Sequence, residues 1–197
     1  MKTRLIAFLL FAICFTAQAK GPQQIRIYSS LGYSSSKGTA FRFNDGLNFG
    51  GLCAQVDLIY FIPDKMDKVT CGLTYNGAFL LGPDYTGEDF ADGPFVFEFF
   101  GVKGGYRLFD NIITPFVNLA TGVTRLRANE VILDEGETVE GINSYVFGLA
   151  PEIGVDISFL TIKATYIVPM PNKTWNGKKA TAGSYSVSLG IHIPIRF

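Results

Sequence analysis

The last thirteen residues, Tyr185 to Phe197, alternate in character without a break. Tyr185, Val187, Leu189, Ile191, Ile193, Ile195 and Phe197 take one set of positions. Ser186, Ser188, Gly190, His192, Pro194 and Arg196 take the other. Successive side chains of a strand point to opposite faces, so this stretch reads as a strand with one wholly apolar face and one small or charged face. A helix would scatter the same residues around its axis. An apolar face of that length needs either a protein core or lipid against it, and the rest of the sequence has to decide which.

The opposite end sets the compartment. Lys2 and Arg4 precede an apolar run from Leu5 to Phe15, and Ala17-Gln18-Ala19 supplies a small-x-small cleavage site. This is the pattern of a secretory signal peptide, residues 1–19, which is set aside from the fold. Cys14 lies inside the apolar run without a small residue before it, so it reads as part of the leader rather than as a lipidation site. Residues 20–197 suffice for one domain. The whole chain is formally neutral. Losing Lys2 and Arg4 makes the remainder mildly acidic, which argues against nucleic acid as a partner. The chain is nevertheless 48% hydrophobic, with 18 Phe and 9 Tyr. No later run reaches the ~18 consecutive apolar residues of a spanning helix. For an exported, apolar chain without such a helix, a closed β-barrel is the structure that satisfies every backbone group in lipid.

The same alternation recurs along the chain and predicts eight strands: Gln24 to Ser35, Phe49 to Ile62, Lys68 to Leu81, Pro94 to Leu108, Ile112 to Leu126, Asn143 to Ile157, Phe159 to Val168, and the closing strand. The connections run long, short, long, short, long, short, long. The long ones span 36–48, 82–93, 127–142 and 169–183. Short turns on one side and longer loops on the other are the pattern of transmembrane barrels. Parity fails in one strand, where Glu98 and Lys103 share a face only if a residue is inserted, so a β-bulge is expected near Gly101. Pro151 and Pro194 cannot donate to a ladder, so a bulge or a missing bond is expected at each. Cys53 and Cys71 fall on opposite faces, which argues against a disulfide.

Collected from all strands, the polar face carries the acids Asp57, Glu98, Glu152 and Asp156 and the bases Arg26, Lys103, Arg107, Lys163 and Arg196. They nearly balance, among Gly, Ala, Ser and Thr. Eight strands enclose an interior just wide enough for side chains. The Leu, Ile, Phe and Tyr of the other faces would overfill it, whereas small residues and a paired ion network suit it. The expected orientation is therefore charges inward, in a plugged lumen, and apolar faces outward to lipid. Aromatic girdles are expected at both rims, from Tyr60, Tyr106, Phe109, Phe159 and Phe197 at one and Tyr33, Phe79, Phe95, Tyr145 and Tyr185 at the other.

The leader, G-Y-R-L-F-D-N at 105–111, T-P-F-V-N-L-A-T-G-V at 114–123 and the alternating end at Phe197 together resemble the small outer-membrane β-barrel family of the OmpA/OmpX type. The resemblance implies an eight-stranded antiparallel transmembrane up-and-down barrel in a Gram-negative outer membrane, with short periplasmic turns and four longer extracellular loops. It implies that Phe197, with Ile195 and Ile193, forms the signal read by the outer-membrane assembly machinery. It also implies outer-membrane lipid and lipopolysaccharide as partners. No peptidoglycan-binding domain follows, so cell-wall tethering is not carried over.

Specific chemistry is sparse. His192 is the only histidine. Lipid A deacylases among small barrels use a His-Ser pair, but here no Ser stands two residues from His192, and a lumen role is expected instead of catalysis. The acidic stretches 84–92 and 130–140 match no calcium-loop spacing. Neither a metal nor a cofactor is expected. Lys173, Lys178 and Lys179, with Trp175 among them, suit lipopolysaccharide phosphates. The expected role is structural or interactive, in membrane integrity or adhesion. A small-solute or ion pore is the alternative, and a lipid-modifying enzyme is the next. A soluble lipocalin-like carrier lacks its G-x-W near the first strand.

Overall fold

A computed structural model of the chain is a closed antiparallel β-barrel. It describes residues 24–37, 50–62, 68–81, 95–109, 112–128, 131–132, 138–139, 142–175 and 178–196. The strands are β1 (Gln24–Lys37), β2 (Gly50–Phe61), β3 (Val69–Leu81), β4 (Phe95–Arg107), β5 (Ile113–Ala128), β6 (Val131–Ile132), β7 (Thr138–Val139), β8 (Ile142–Ile157), β9 (Leu160–Trp175) and β10 (Lys178–Arg196). Around the wall the order is β1-β10-β9-β8-β5-β4-β3-β2, and β6 pairs only with β7. Eight strands thus close the barrel, as the alternation predicted. The pairing of β1 with β10 runs from Gln24↔Arg196 to Lys37↔Gly183 without a shift, so the first and last strands leave no free edge where they meet.

Closure fixes two faces. On β10, Val187, Leu189, Ile191 and Ile193 point outward and are 61%, 58%, 45% and 57% exposed, while Ser186, Ser188 and His192 are buried. The same division holds along most of the wall, with β4 the exception, since its Phe95, Phe97 and Phe99 are buried. Exposed Leu, Ile, Val and Phe cover the wall, and the buried set is rich in Ser, Thr and charged residues. A soluble barrel has the reverse arrangement. A continuous apolar wall of this extent is stable only against an apolar medium. Tyr106, Phe109 and Phe159 are exposed toward the short-turn rim, and Tyr33, Phe79, Tyr145 and Tyr185 toward the long-connection rim.

Four local expectations are corrected. There is no bulge at Gly101: β4 pairs in unbroken register with both β3 and β5. Keeping Lys103 and Arg107 inward without a bulge turns Phe95, Phe97, Gly101 and Phe99 inward and Glu98 outward. Phe95 is therefore 4% exposed and not part of a girdle. Neither proline causes a register shift on its paired side, Pro151 opposite Leu119 and Pro194 opposite Arg26. At Pro151 the other expected outcome, a missing bond, is found: the β8–β9 ladder ends at Glu152↔Thr165, one residue short of the proline, which has no N–H to donate. The last long connection is largely strand: β9 continues to Trp175 and β10 starts at Lys178, with register shifts at Lys179/Thr181 and Ala182/Ser184. Neither Cys53, buried in the lumen, nor Cys71, on the wall, forms a disulfide. The leader, Phe197 and the 84–92 stretch lie outside the described residues, as do the side chains of Lys173, Trp175, Lys178 and Lys179.

Tight strand contact generates a test. A Cβ on Gly122 would stand 2.1 Å from the Phe100 carbonyl oxygen and 2.5 Å from Gly101 Cα, whereas one on Gly104 would meet nothing nearer than 4.0 Å. Gly122→Val is expected to block refolding or to cost about 3 kcal/mol or more, and Gly104→Ala to change stability by no more than ~0.5 kcal/mol. Urea unfolding in lipid vesicles measures both.

Candidate functional site

The lumen is stacked in three layers, and β4 contributes to each. Its inward residues, from the long-connection end, are Phe95, Phe97 and Phe99, then Lys103, then Arg107. The first layer is apolar. Phe97 and Phe99 are essentially inaccessible and pack with Leu80, Leu126 and Ile167. Three aromatic rings fit so narrow a barrel because the facing positions are small: Cys53, Ala78, Ala120 and Ala150. At Gly148 an added Cβ would already lie 3.4 Å from the Phe99 ring.

The middle layer holds two acids and two bases. Lys103 Nζ donates to Asp57 Oδ1 and to Glu152 Oε1, each at 2.9 Å. Lys163 Nζ donates to Asp57 Oδ2 at 2.6 Å. The side chains of all four are 3% exposed or less. Neutral donors complete the carboxylates. Gln55 Nε2 and Asn118 Nδ2 each donate to Glu152 at 2.7 Å, and the Thr165 hydroxyl donates to it at 3.0 Å. An uncompensated buried charge is costly, so this closed arithmetic of charges and donors is what makes the layer tolerable. It ties β2, β4, β5, β8 and β9 together across the barrel.

The third layer lies toward the short-turn rim. Arg107 Nη1 and the Tyr28 hydroxyl each donate to Asp156 Oδ2 at 3.0 Å, and Arg26 Nη1 is 3.8 Å from the same oxygen. The guanidinium carbons of Arg26 and Arg107 lie 4.4 and 5.2 Å from the Phe61 ring centroid, a cation–π arrangement that helps replace lost hydration. His192 rests against Tyr28 with ring centroids 5.0 Å apart. Its Nδ1 stands 3.8 Å from Asp156 Oδ1, beyond hydrogen-bond reach. Between the second and third layers lies a cavity of about 20 Å³ bordered by Asp57, Arg107, Asn118, Glu152 and Lys163. That volume suits a single water with polar partners.

Of the nine charges assigned to the lumen, seven stand there: Asp57, Lys103, Glu152 and Lys163 in the middle layer, and Arg26, Arg107 and Asp156 in the third. Glu98 does not. It sits on the outer wall, where Oε1 accepts from the Tyr75 hydroxyl at 2.9 Å and Oε2 accepts from Arg125 Nη1 at 3.3 Å. Arg196 pairs through its backbone with Gln24, and its side chain is not among those described. Ile193 and Ile195 face outward. Gln55 and Tyr28, uncharged and not singled out in the sequence, share the inward parity of Asp57 and Arg26 and are buried with them. The Phe layer was missed because an apolar residue carries no sign of which face it takes in a strand apolar on both.

No protein-family profile and no characterised protein sequence matches the chain. Solved structures match its fold. Against Ail, the attachment invasion locus protein of Yersinia pestis, crystallised with the heparin analogue sucrose octasulfate, the TM-score is 0.57 at 14% identity, covering 86% of this chain and 99% of Ail. Against Neisserial surface protein A the values are 0.56 and 15%, with 86% and 96% covered. Against the outer membrane protein OprG of Pseudomonas aeruginosa they are 0.51 and 12%, with 92% and 99% covered. The fold is that of the small eight-stranded outer-membrane barrels.

The middle layer predicts strong coupling. Lys103→Met leaves Glu152 buried without its cation and Asp57 with Lys163 alone, and is expected to cost ~3–5 kcal/mol; adding Glu152→Gln should restore a good part of that loss. A double-mutant cycle by urea unfolding in vesicles reads it, and additive losses would contradict the layer as described.

Proposed function

We propose that this chain is an outer-membrane β-barrel of a Gram-negative cell that acts through its surface, in membrane integrity or adhesion, and not as a diffusion pore. The observation that carries the reading is the double seal of the lumen. A layer of aromatic rings and a layer of fully paired charges lie in series, each with side chains almost wholly out of solvent. Ions would have to cross an apolar constriction and then break an ion network, so a continuous aqueous path is disfavoured at both steps.

The apolar wall and its aromatic rims support residence in lipid, and the fold shared with an attachment invasion locus protein and a neisserial surface protein agrees with a surface role. In this reading the leader directs export, and the outward Ile193 and Ile195 of β10, with Phe197, form the segment read by the assembly machinery. Lipid and lipopolysaccharide are the partners of the wall, and the long connections present the interacting surface.

Planar-bilayer recording tests the reading. The native chain should show at most small, brief conductance. Phe97→Ala with Phe99→Ala should leave it closed, because the ion layer remains. Adding Lys103→Ser should raise conductance. Large, stable channels from the native chain would contradict the proposal.

A further inference from the structure

Charge on a lipid-facing wall is rare and needs a reason. Among the described side chains, the outer face of the wall strands carries it at three positions only: Glu98 on β4 and Arg125 and Arg127 on β5. The three lie together. Glu98 and Arg125 are register partners, as are Arg125 and Tyr145, and Arg127 and Asn143. Depth explains why they are tolerated. The outward residues of β5 below them, from Ile113 to Val123, carry no charge. Ten residues rising ~3.3 Å each on a strand tilted ~40° climb about 25 Å, the height of a barrel's apolar band. Arg125 therefore begins where acyl chains give way to headgroups on the long-connection side, and Arg127 lies one step beyond. A wall charge costs little at that depth compared with the middle of the bilayer.

The arrangement is more ordered than a tolerated pair of arginines would need. Arg125 Nε donates to Asn143 Oδ1 at 3.2 Å, its Nη1 donates to Glu98 Oε2 at 3.3 Å, and its guanidinium carbon stands 5.4 Å from the Tyr145 ring centroid. Glu98 is held in turn by the Tyr75 hydroxyl. Arg125 is thus fixed on two sides, and its remaining donors, out of the five a guanidinium carries, bond to no described residue. Accepting at Oδ1 turns the Asn143 amide so that its two N–H donors point away from Arg125. Arg127, exposed on the same face, makes no hydrogen bond or ion pair to any described residue. Two arginines whose Cα atoms lie about 7 Å apart along β5, with Asn143 beside them on β8 and one carboxylate already satisfied, leave a net positive charge among the described side chains of this patch. Planar guanidinium forks match the oxygens of a phosphate, singly or bidentately.

We propose that Arg125, Arg127 and Asn143 form a wall site for the phosphate of an outer-leaflet lipid headgroup, with Glu98, Tyr75 and Tyr145 positioning Arg125. The site rests on the reading of the barrel as a bilayer protein with its long connections outermost. It gives the wall one specific lipid ligand beside its general contact with acyl chains.

Native mass spectrometry of the full chain in neutral detergent micelles, titrated with bis-phosphorylated lipid A, tests the site. Arg127→Gln removes no hydrogen bond or ion pair to a described residue, so it should fold normally and bind lipid A several-fold more weakly. Arg125→Gln with Arg127→Gln should weaken binding about tenfold or more. Lipid A stripped of its phosphates should bind all forms alike and weakly. Unchanged lipid A binding by the double variant, equal binding of the dephosphorylated lipid, or competition by inorganic phosphate at the same concentration would each overturn the proposal. Alkaline washing of proteoliposomes separates the two readings. A native chain that washes off loses both, while one that stays but binds as its double variant does loses this inference alone.

Discussion

Closure of β1 on β10 is the constraint from which the rest follows. A closed sheet has no unpaired edge, so its backbone can sit where no water is available to satisfy it. Closure also removes any choice about side chains, because each residue then faces either the lumen or the surroundings according to its parity. The lumen of eight strands is narrow, so whatever enters must either pack or pair. The three layers are the outcome: aromatic rings fitted against alanines and a glycine, four charges that cancel, and an aspartate shared by two arginines and a tyrosine.

The layers exclude water by different physics. The Phe95–Phe97–Phe99 layer does so by filling space, and its strength depends on the volume of its neighbours. The Asp57–Lys103–Glu152–Lys163 layer does so by satisfying every charge, and it fails if one member is lost. The first tolerates a conservative change and the second does not. Together they also explain how strands far apart in sequence are held in one cross-section, since Lys103 on β4 bridges Asp57 on β2 and Glu152 on β8.

Much of this was legible in the sequence wherever the two faces of a strand differ in chemistry. The closing strand, with isoleucines against serines and His192, fixed its own orientation, and the parity of Asp57, Lys103, Glu152 and Lys163 placed each of them inward. Legibility ended where both faces are apolar. In β4 four phenylalanines surround Glu98, and assuming that every charge faces inward required a bulge that does not exist. Counting back from Lys103 without interruption gives the correct phase. That phase turns three rings inward, and the small residues that accommodate them lie on other strands. Composition misled at 169–183, where Pro, Lys and Gly suggest a loop while ladder pairing continues through two register shifts. Pro151 was visible as a problem with two solutions open, a bulge or a missing bond, and the second is the one taken. The neighbouring ladder stops beside it, a choice made by the pairing of two strands and not by either alone.

The orientation of the wall is the central claim, and collision accessibility of spin labels along β10 tests it most directly. Single cysteines at 186 to 192, in a chain with Cys53 and Cys71 replaced, would be labelled after reconstitution into bilayers. The account predicts that labels at 187, 189 and 191 collide freely with oxygen dissolved in the acyl region, while those at 186, 188 and 192 are shielded from both oxygen and a water-soluble nickel chelate. Oxygen access at the even positions with shielding at the odd ones would contradict it.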